Sequence, residues 1–200
     1  MKYILTILLL LNTLLCQDCP KEGDAITKKA KELNVLKNRN TFPKETDIDS
    51  SITIENLLAD GNDVNRFSES KAVVIIGYCV DVKIGSVESC NCHAKEHDKR
   101  DTHIELTTSP MNTGKTNTLV VEVTPYFREI MKQRGIDWTT KALRRSLLGR
   151  WIKITGWLLF DSEHTGQAEN TAPDRPRNWR KTAWEVHPIT DIAITRKPLP

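Results

Sequence analysis

A mainly β barrel of five strands with one helical insertion is the architecture this sequence predicts, on three observations. Five segments alternate apolar and polar side chains at the period of two that marks a strand. A helical pattern separates the third from the fourth. The two longest polar loops follow the first and the fourth.

The first strand is expected over Ala72 to Ile84, with Val74, Ile76, Tyr78, Val80, Val82 and Ile84 in phase and Gly77 inside it. A glycine within a strand this long marks a bulge or a sharp bend. After the polar loop 85–101, Thr102 to Thr107 forms the second strand, with Ile104 and Leu106 on one face and His103 and Glu105 on the other. A turn over 110–117 leads to the third, Thr118 to Thr124. Its Leu119, Val121 and Val123 point inward, Glu122 and Thr124 outward. Pro125 suits the first position of a helix with Phe127, Ile130 and Met131 as its apolar side and Gly135 at its end. Thr139 caps a second helix that buries Ala142, Leu143, Leu147 and Leu148 and stops at Gly149. Lys141, Arg144, Arg145 and Arg150 lie on or beside its exposed side. The fourth strand, Arg150 to Phe160, shares one face among Ile152, Ile154, Leu158 and Phe160. The fifth, Thr182 to Thr195, alternates through Trp184, Val186, Ile192 and Ile194.

This β-β-β-α-β-β order over residues 71–195 resembles the OB-fold, a Greek-key barrel that holds ligands in loops of this placement. An unrelated antiparallel barrel or sandwich with one helix is the alternative. The expected organisation is a signal peptide at 1–16, a polar extension at 17–70 and the barrel domain at 71–200. Lys2 followed by a short apolar run to Cys16 has the form of a secretory signal, too short to span a bilayer comfortably. No later segment has the length and hydropathy of a transmembrane helix. A lipid anchor on Cys16 is the second choice, because Leu15 is larger than the residue usual before a lipidated cysteine. In the extension, Asp24 is placed to cap a thinly amphipathic helix running to Arg39, a spacer or loosely docked element. Ile52, Ile54, Leu57 and Leu58 form a short element that packs on the domain.

Lys and Arg number 29 against 26 Asp and Glu, too small an excess to advertise nucleic acid or an anionic membrane, so any charge argument is local. Glu88-Ser-Cys-Asn-Cys-His93, Asp101-Thr-His-Ile-Glu-Leu106 and Asn178-Trp-Arg-Lys-Thr-Ala-Trp-Glu-Val-His-Pro-Ile189 resemble a group of exported bacterial proteins. That resemblance implies export and a bacterial source. It implies no substrate.

Three constellations carry chemistry. In an exported chain, Cys19, Cys79, Cys90 and Cys92 predict disulfide bonding, with Cys79 joined to Cys90 or Cys92. Cys90, Cys92, His93 and His97 as a zinc or copper site is the weaker alternative, since the cysteine spacing is wrong for a knuckle. The second constellation is the outward face of the sheet. His103 and Glu105 leave one face, Glu122 and Thr124 sit on the next strand, and Glu185 and His187 share a face of the last. His103, Glu105 and His187, joined by His164 from the loop, are the residues that would hold a divalent metal such as zinc. A solvated polar face is the simpler reading. The third is the half-loop Arg175, Arg177, Trp179, Arg180 and Lys181, able to grip phosphates and stack a base or sugar. The carboxylates of 161–174 offset its charge. Asn112-Thr-Gly-Lys-Thr116 is no P-loop, because Ser109 replaces the earlier glycine and a strand follows.

The leading functional expectation is an exported OB-type binding module that takes up nucleic acid or an oligosaccharide through loops 85–101 and 161–181. A metal-dependent, phosphodiesterase-like hydrolase is the alternative, and a structural or protein-interaction domain the third.

Overall fold

The computed structural model describes residues 19–197; the expected signal peptide and Cys16 lie outside them. Five strands close into a barrel: β1 (Ala72–Ile84), β2 (Thr102–Thr107), β3 (Leu119–Val123), β4 (Trp151–Phe160) and β5 (Trp184–Ile194). Around the barrel they run β1-β2-β3-β5-β4. Every pairing is antiparallel except β3 with β5, a short parallel seam that matches Val120 with Glu185 and Val121 with Val186. Between β3 and β4 come α3 (Pro125–Gln133) and α4 (Thr140–Leu147). Thr124 and Thr139 cap them, accepting from the backbone N–H groups of Phe127 and Ala142. Leu143 and Leu147 are buried as expected, whereas Leu148, at the helix end, is 40% exposed.

The barrel is filled by Ile104 and Leu106 of β2, Leu119, Val121 and Val123 of β3, Ile152, Ile154 and Leu158 of β4, and Trp184 and Val186 of β5. In β1 the phase is opposite to expectation over its first half. Val73, Ile75 and Cys79 face inward, while Val74, Ile76 and Tyr78 do not. The register then slips between Cys79 and Asp81, and Val82 returns to the core. From Ala72 to Cys79 neither face of the strand carries a charged residue, so alternation could not choose there; Asp81 and Lys83 fix the face only beyond the slip. Gly77 serves close packing: a Cβ there would meet Ile54 Cδ1 at 2.8 Å and Leu106 Cβ at 3.0 Å.

The extension is part of the packed structure. Its first helix, α1 (Lys28–Lys37), is capped by Thr27, not Asp24, and buries Leu33, Asn34 and Lys37. Asp24 pairs instead with His93 at 2.7 Å. The next, α2 (Ile54–Leu58), sends Ile54 and Leu57 into the barrel end. Asp63 accepts the Trp184 indole N–H on its carbonyl, and Phe67 packs edge-on against the same ring.

A disulfide is present, but it joins Cys19 to Cys92; Cys79 and Cys90 are free and buried. The expected Cys79 pairing fails because Cys79 points into the barrel core. With Cys92 bonded and both His93 and His97 exposed, the cysteine–histidine metal alternative is not assembled either. Among the described residues no helix is long and apolar enough to cross a membrane.

Candidate functional site: a buried histidine–carboxylate cluster

The alternation of β2, β3 and β5 places His103, Glu105, Glu122, Glu185 and His187 on the face turned away from the apolar core. That face was expected to meet solvent. It is buried: none of the five exceeds 8% exposure, and His187 is at 0%. The cover comes from outside the strands, through α1 and the loops 85–101 and 161–181. Lys37, at the end of α1, reaches in to Glu88 at 2.7 Å and Asp161 at 3.3 Å. Asn34 and Asn38 bond Ser89 and the Cys90 carbonyl, holding helix to loop.

Beneath this cover the charged groups interlock. His103 Nδ1 lies 2.9 Å from Glu122 Oε1, and its Nε2 is 3.3 Å from Glu105 Oε1. Glu105 also accepts from Lys83 at 2.5 Å. His187 Nδ1 is 3.4 Å from both Glu122 and Glu185, and its Nε2 is 3.8 Å from Asp101. Arg180 donates to Glu185 at 2.6 Å. His164 Nδ1 meets Asp161 Oδ2 at 2.7 Å.

Two groups have the donor types and closeness of a metal site. The ligating atoms of Asp101, Glu122 and His187 lie within 4.8 Å of one another, as do those of Asp161, His164 and Glu185. The second group lines a cavity of about 200 Å³ together with Lys37 and His103, and the first group reaches that cavity through Glu122. In the first group the polar inventory is incomplete. His187 Nε2 and Asp101 Oδ1 are buried without a hydrogen-bond partner. Orphans of this kind are uncommon in folded proteins and call for an explanation.

Electrostatics point the same way. Glu88, Asp101, Glu105, Glu122, Asp161 and Glu185 face the permanent cations Lys37, Lys83 and Arg180. Arg128 adds a fourth cation facing Asp101, and protonated histidines supply the remaining positive charge. Burial works against the imidazolium of His103, yet its two glutamates lift its pKa to about 9. The same opposition, with Glu185, Glu122 and Asp101 as partners, lifts His187 to about 9. Burial opposes ionisation of Glu122, and the two histidines outweigh it, bringing its pKa to about 2. Asp101 is the exception: burial pushes it up to about 6 despite His187. The carboxylates thus outnumber the permanent cations, and protonated histidines balance them; a divalent cation could take the place of those protons.

The four sequence-derived metal candidates do not form one ligand set: His187 and His164 fall in different groups, and His103 and Glu105 in neither. Asp101, Asp161 and Lys37 were missed. Asp101 had a signal, since it continues the alternation of His103 and Glu105 one step upstream. Lys37 and Asp161 had none, because nothing local says which loop or helix covers a sheet.

The basic half-loop divides. Arg180, expected as a free cation, is 0% exposed and bound to Glu185 and the carbonyls of Thr182 and Trp184. Lys181 is paired with Asp60. Arg175 and Arg177 are exposed. Trp179 packs its ring against His103 and His164, with centroids 5.7 Å from each. No protein family, no curated protein and no solved structure matches the chain.

Proposed function

We propose that this chain is an exported OB-type barrel domain that binds a divalent cation at Asp101, Glu122 and His187 and uses it in hydrolysis. The observation that carries the reading is the convergence of ligand atoms of these residues within 4.8 Å, with His187 Nε2 and Asp101 Oδ1 buried and without a hydrogen bond. One imidazole and two carboxylates suit zinc and its neighbours among divalent ions. The strand order β1-β2-β3-β5-β4, with helices between β3 and β4, supports the OB assignment. The Cys19–Cys92 disulfide supports export to an oxidising compartment.

A cation here would polarise the oxygen of a bound ester and make a water molecule more acidic. The water oxygen joins the electrophilic centre, the bond to the leaving oxygen breaks, and a water proton passes to that oxygen. His103 and His164 line the cavity and are the groups placed to carry the proton. Lys37 balances the carboxylates behind them.

Metal content after dialysis against zinc or manganese tests the reading. About one equivalent is expected in the folded protein, lost in Glu122→Gln and in His187→Ala, with circular dichroism confirming that the barrel persists. A folded wild-type protein that takes up neither ion would overturn the assignment.

A further inference from the structure

The loop 161–181 encloses a second hollow, of about 600 Å³, on the outer side of Trp179. Arg175, Arg177, Gln167 and Glu163 line it with that tryptophan. Of the four cations between 175 and 181, Arg180 and Lys181 are consumed by Glu185 and Asp60. Arg175 and Arg177 make no ion pair among the described residues.

These two arginines stand on a braced loop. The Asn178 amide donates to Glu169 and to the Ala172 carbonyl, each at 2.7 Å. The backbone N–H of Asp174 donates to the same glutamate at 3.0 Å. The Trp179 and Glu169 N–H groups bond the carbonyls of Gln167 and Arg180. Glu169 therefore serves as an internal post and leaves the guanidinium groups to the hollow. Ordering the loop in advance removes a cost that a ligand would otherwise meet.

We infer that this hollow is an anion subsite for a nucleotide unit, its phosphate on Arg175 and Arg177 and its base against Trp179. Guanidinium forks match phosphate oxygens in pairs, and the part of the indole that lines the hollow, away from Arg180 at 5.2 Å over the ring, is what a base can meet. The volume is in the range of small-ligand sites. Glu163, the one carboxylate on the wall, can accept from sugar hydroxyls or base N–H groups. Trp179 is the partition between this hollow and the inner cavity, lining both. A phosphate bound outside would therefore lie across Trp179 from His103 and His164, against which that ring packs. The consequence that the ligand is a phosphodiester substrate rests on the proposed metal-dependent hydrolysis; binding at the subsite does not.

The test is titration of the metal-free, folded protein with a short single-stranded oligothymidylate, and separately with thymidine monophosphate, across a salt series. Binding by the oligonucleotide is expected, with an Arg175→Gln, Arg177→Gln double variant at least ~10-fold weaker. Its salt dependence should flatten by roughly 0.7 in log–log slope per lost phosphate contact. Trp179→Leu should weaken binding by about 5- to 150-fold, the equivalent of a lost base stack, and Trp179→Phe should largely restore it. The mononucleotide arm tells a polymer site from a free-nucleotide site, and binding in either supports the inference. Metal content of the double variant should equal that of wild type. No binding to either probe, binding untouched by the arginine variants, or stronger binding of a sulfated glycan would overturn the subsite. Binding seen only after metal is added would also overturn it, while leaving the metal site standing.

Discussion

Strands β2 and β3 have two buried faces, and the faces are built from opposite materials. On one, Ile104, Leu106, Leu119, Val121 and Val123 pack without a polar atom. On the other, His103, Glu105 and Glu122 are nearly as inaccessible. Burying the first face drives folding, at roughly 25 cal/mol per Å² of apolar surface. Burying the second takes charges out of water, a penalty that mutual attraction offsets only with good geometry. The apolar face accounts for the barrel. The polar face has no such account in folding; the proposed cation would supply one, and each face should respond to substitution in its own way.

The largest effect is expected from Lys37→Ala, which takes from Glu88 its ion pair and leaves Asp161 with His164 as its one remaining ion-pair partner among the described residues. Removing one partner of a buried ion pair costs ~3–5 kcal/mol. That loss should shrink as the pH falls, because the abandoned carboxylates can then protonate. Leu106→Ala on the apolar face should cost ~2–5 kcal/mol and keep that cost at every pH. Denaturant titrations of both variants at pH 7 and pH 4 make the comparison. Equal pH response would break the distinction between the faces.

A smaller effect is expected in the metal-free wild-type protein as pH varies. His103 and His187 have folded pKa values of about 9 against an ordinary 6.5. Their contribution is complete below 6.5 and lost as the pH rises through 9. Asp101, raised to about 6 from 3.8, adds a loss of the same sign across that lower interval. Glu105 and Glu122, lowered from 4.5 to about 2, contribute above 4.5 and lose it as the pH falls through 2. Stability should therefore peak in mildly acid solution and decline toward pH 9. Thermal melts in chelator, repeated with metal, check this; a flat profile between pH 6 and pH 9 would contradict it.

The smallest change in stability is expected from His103→Leu with Glu122→Leu. Replacing a buried charged pair by apolar groups of similar volume is often neutral or mildly stabilising. Metal uptake should nevertheless disappear. A large loss of stability would show that the polar face also holds the barrel together.

The strands, the two capped helices and the loop positions were legible because each rests on local pattern. Thr124 and Thr139 cap where their spacing placed them, and Ile104 with Leu106 face the core as alternation required. Local pattern could not settle the face of β1, where Val73 and Val74 are equivalent in chemistry. Nor could it bury His187, since the cover comes from α1 and from two loops whose placement over the sheet no local pattern states. Cys19–Cys92 was hidden for the same reason: the extension folds back over loop 85–101, a tertiary fact with no signature in cysteine spacing.

The parallel contact of β3 with β5 matches only Val120 with Glu185 and Val121 with Val186, the shortest pairing in the barrel. It also brings Glu122 beside Glu185 and His187. The barrel can therefore part along this line with the loss of fewer ladder bonds than anywhere else on its circumference. Openings of low cost are the ones a folded protein visits most often. An ion bound at Glu122 and His187 would clasp the two lips of the seam, so the cluster would work as a latch as well as a reactive centre.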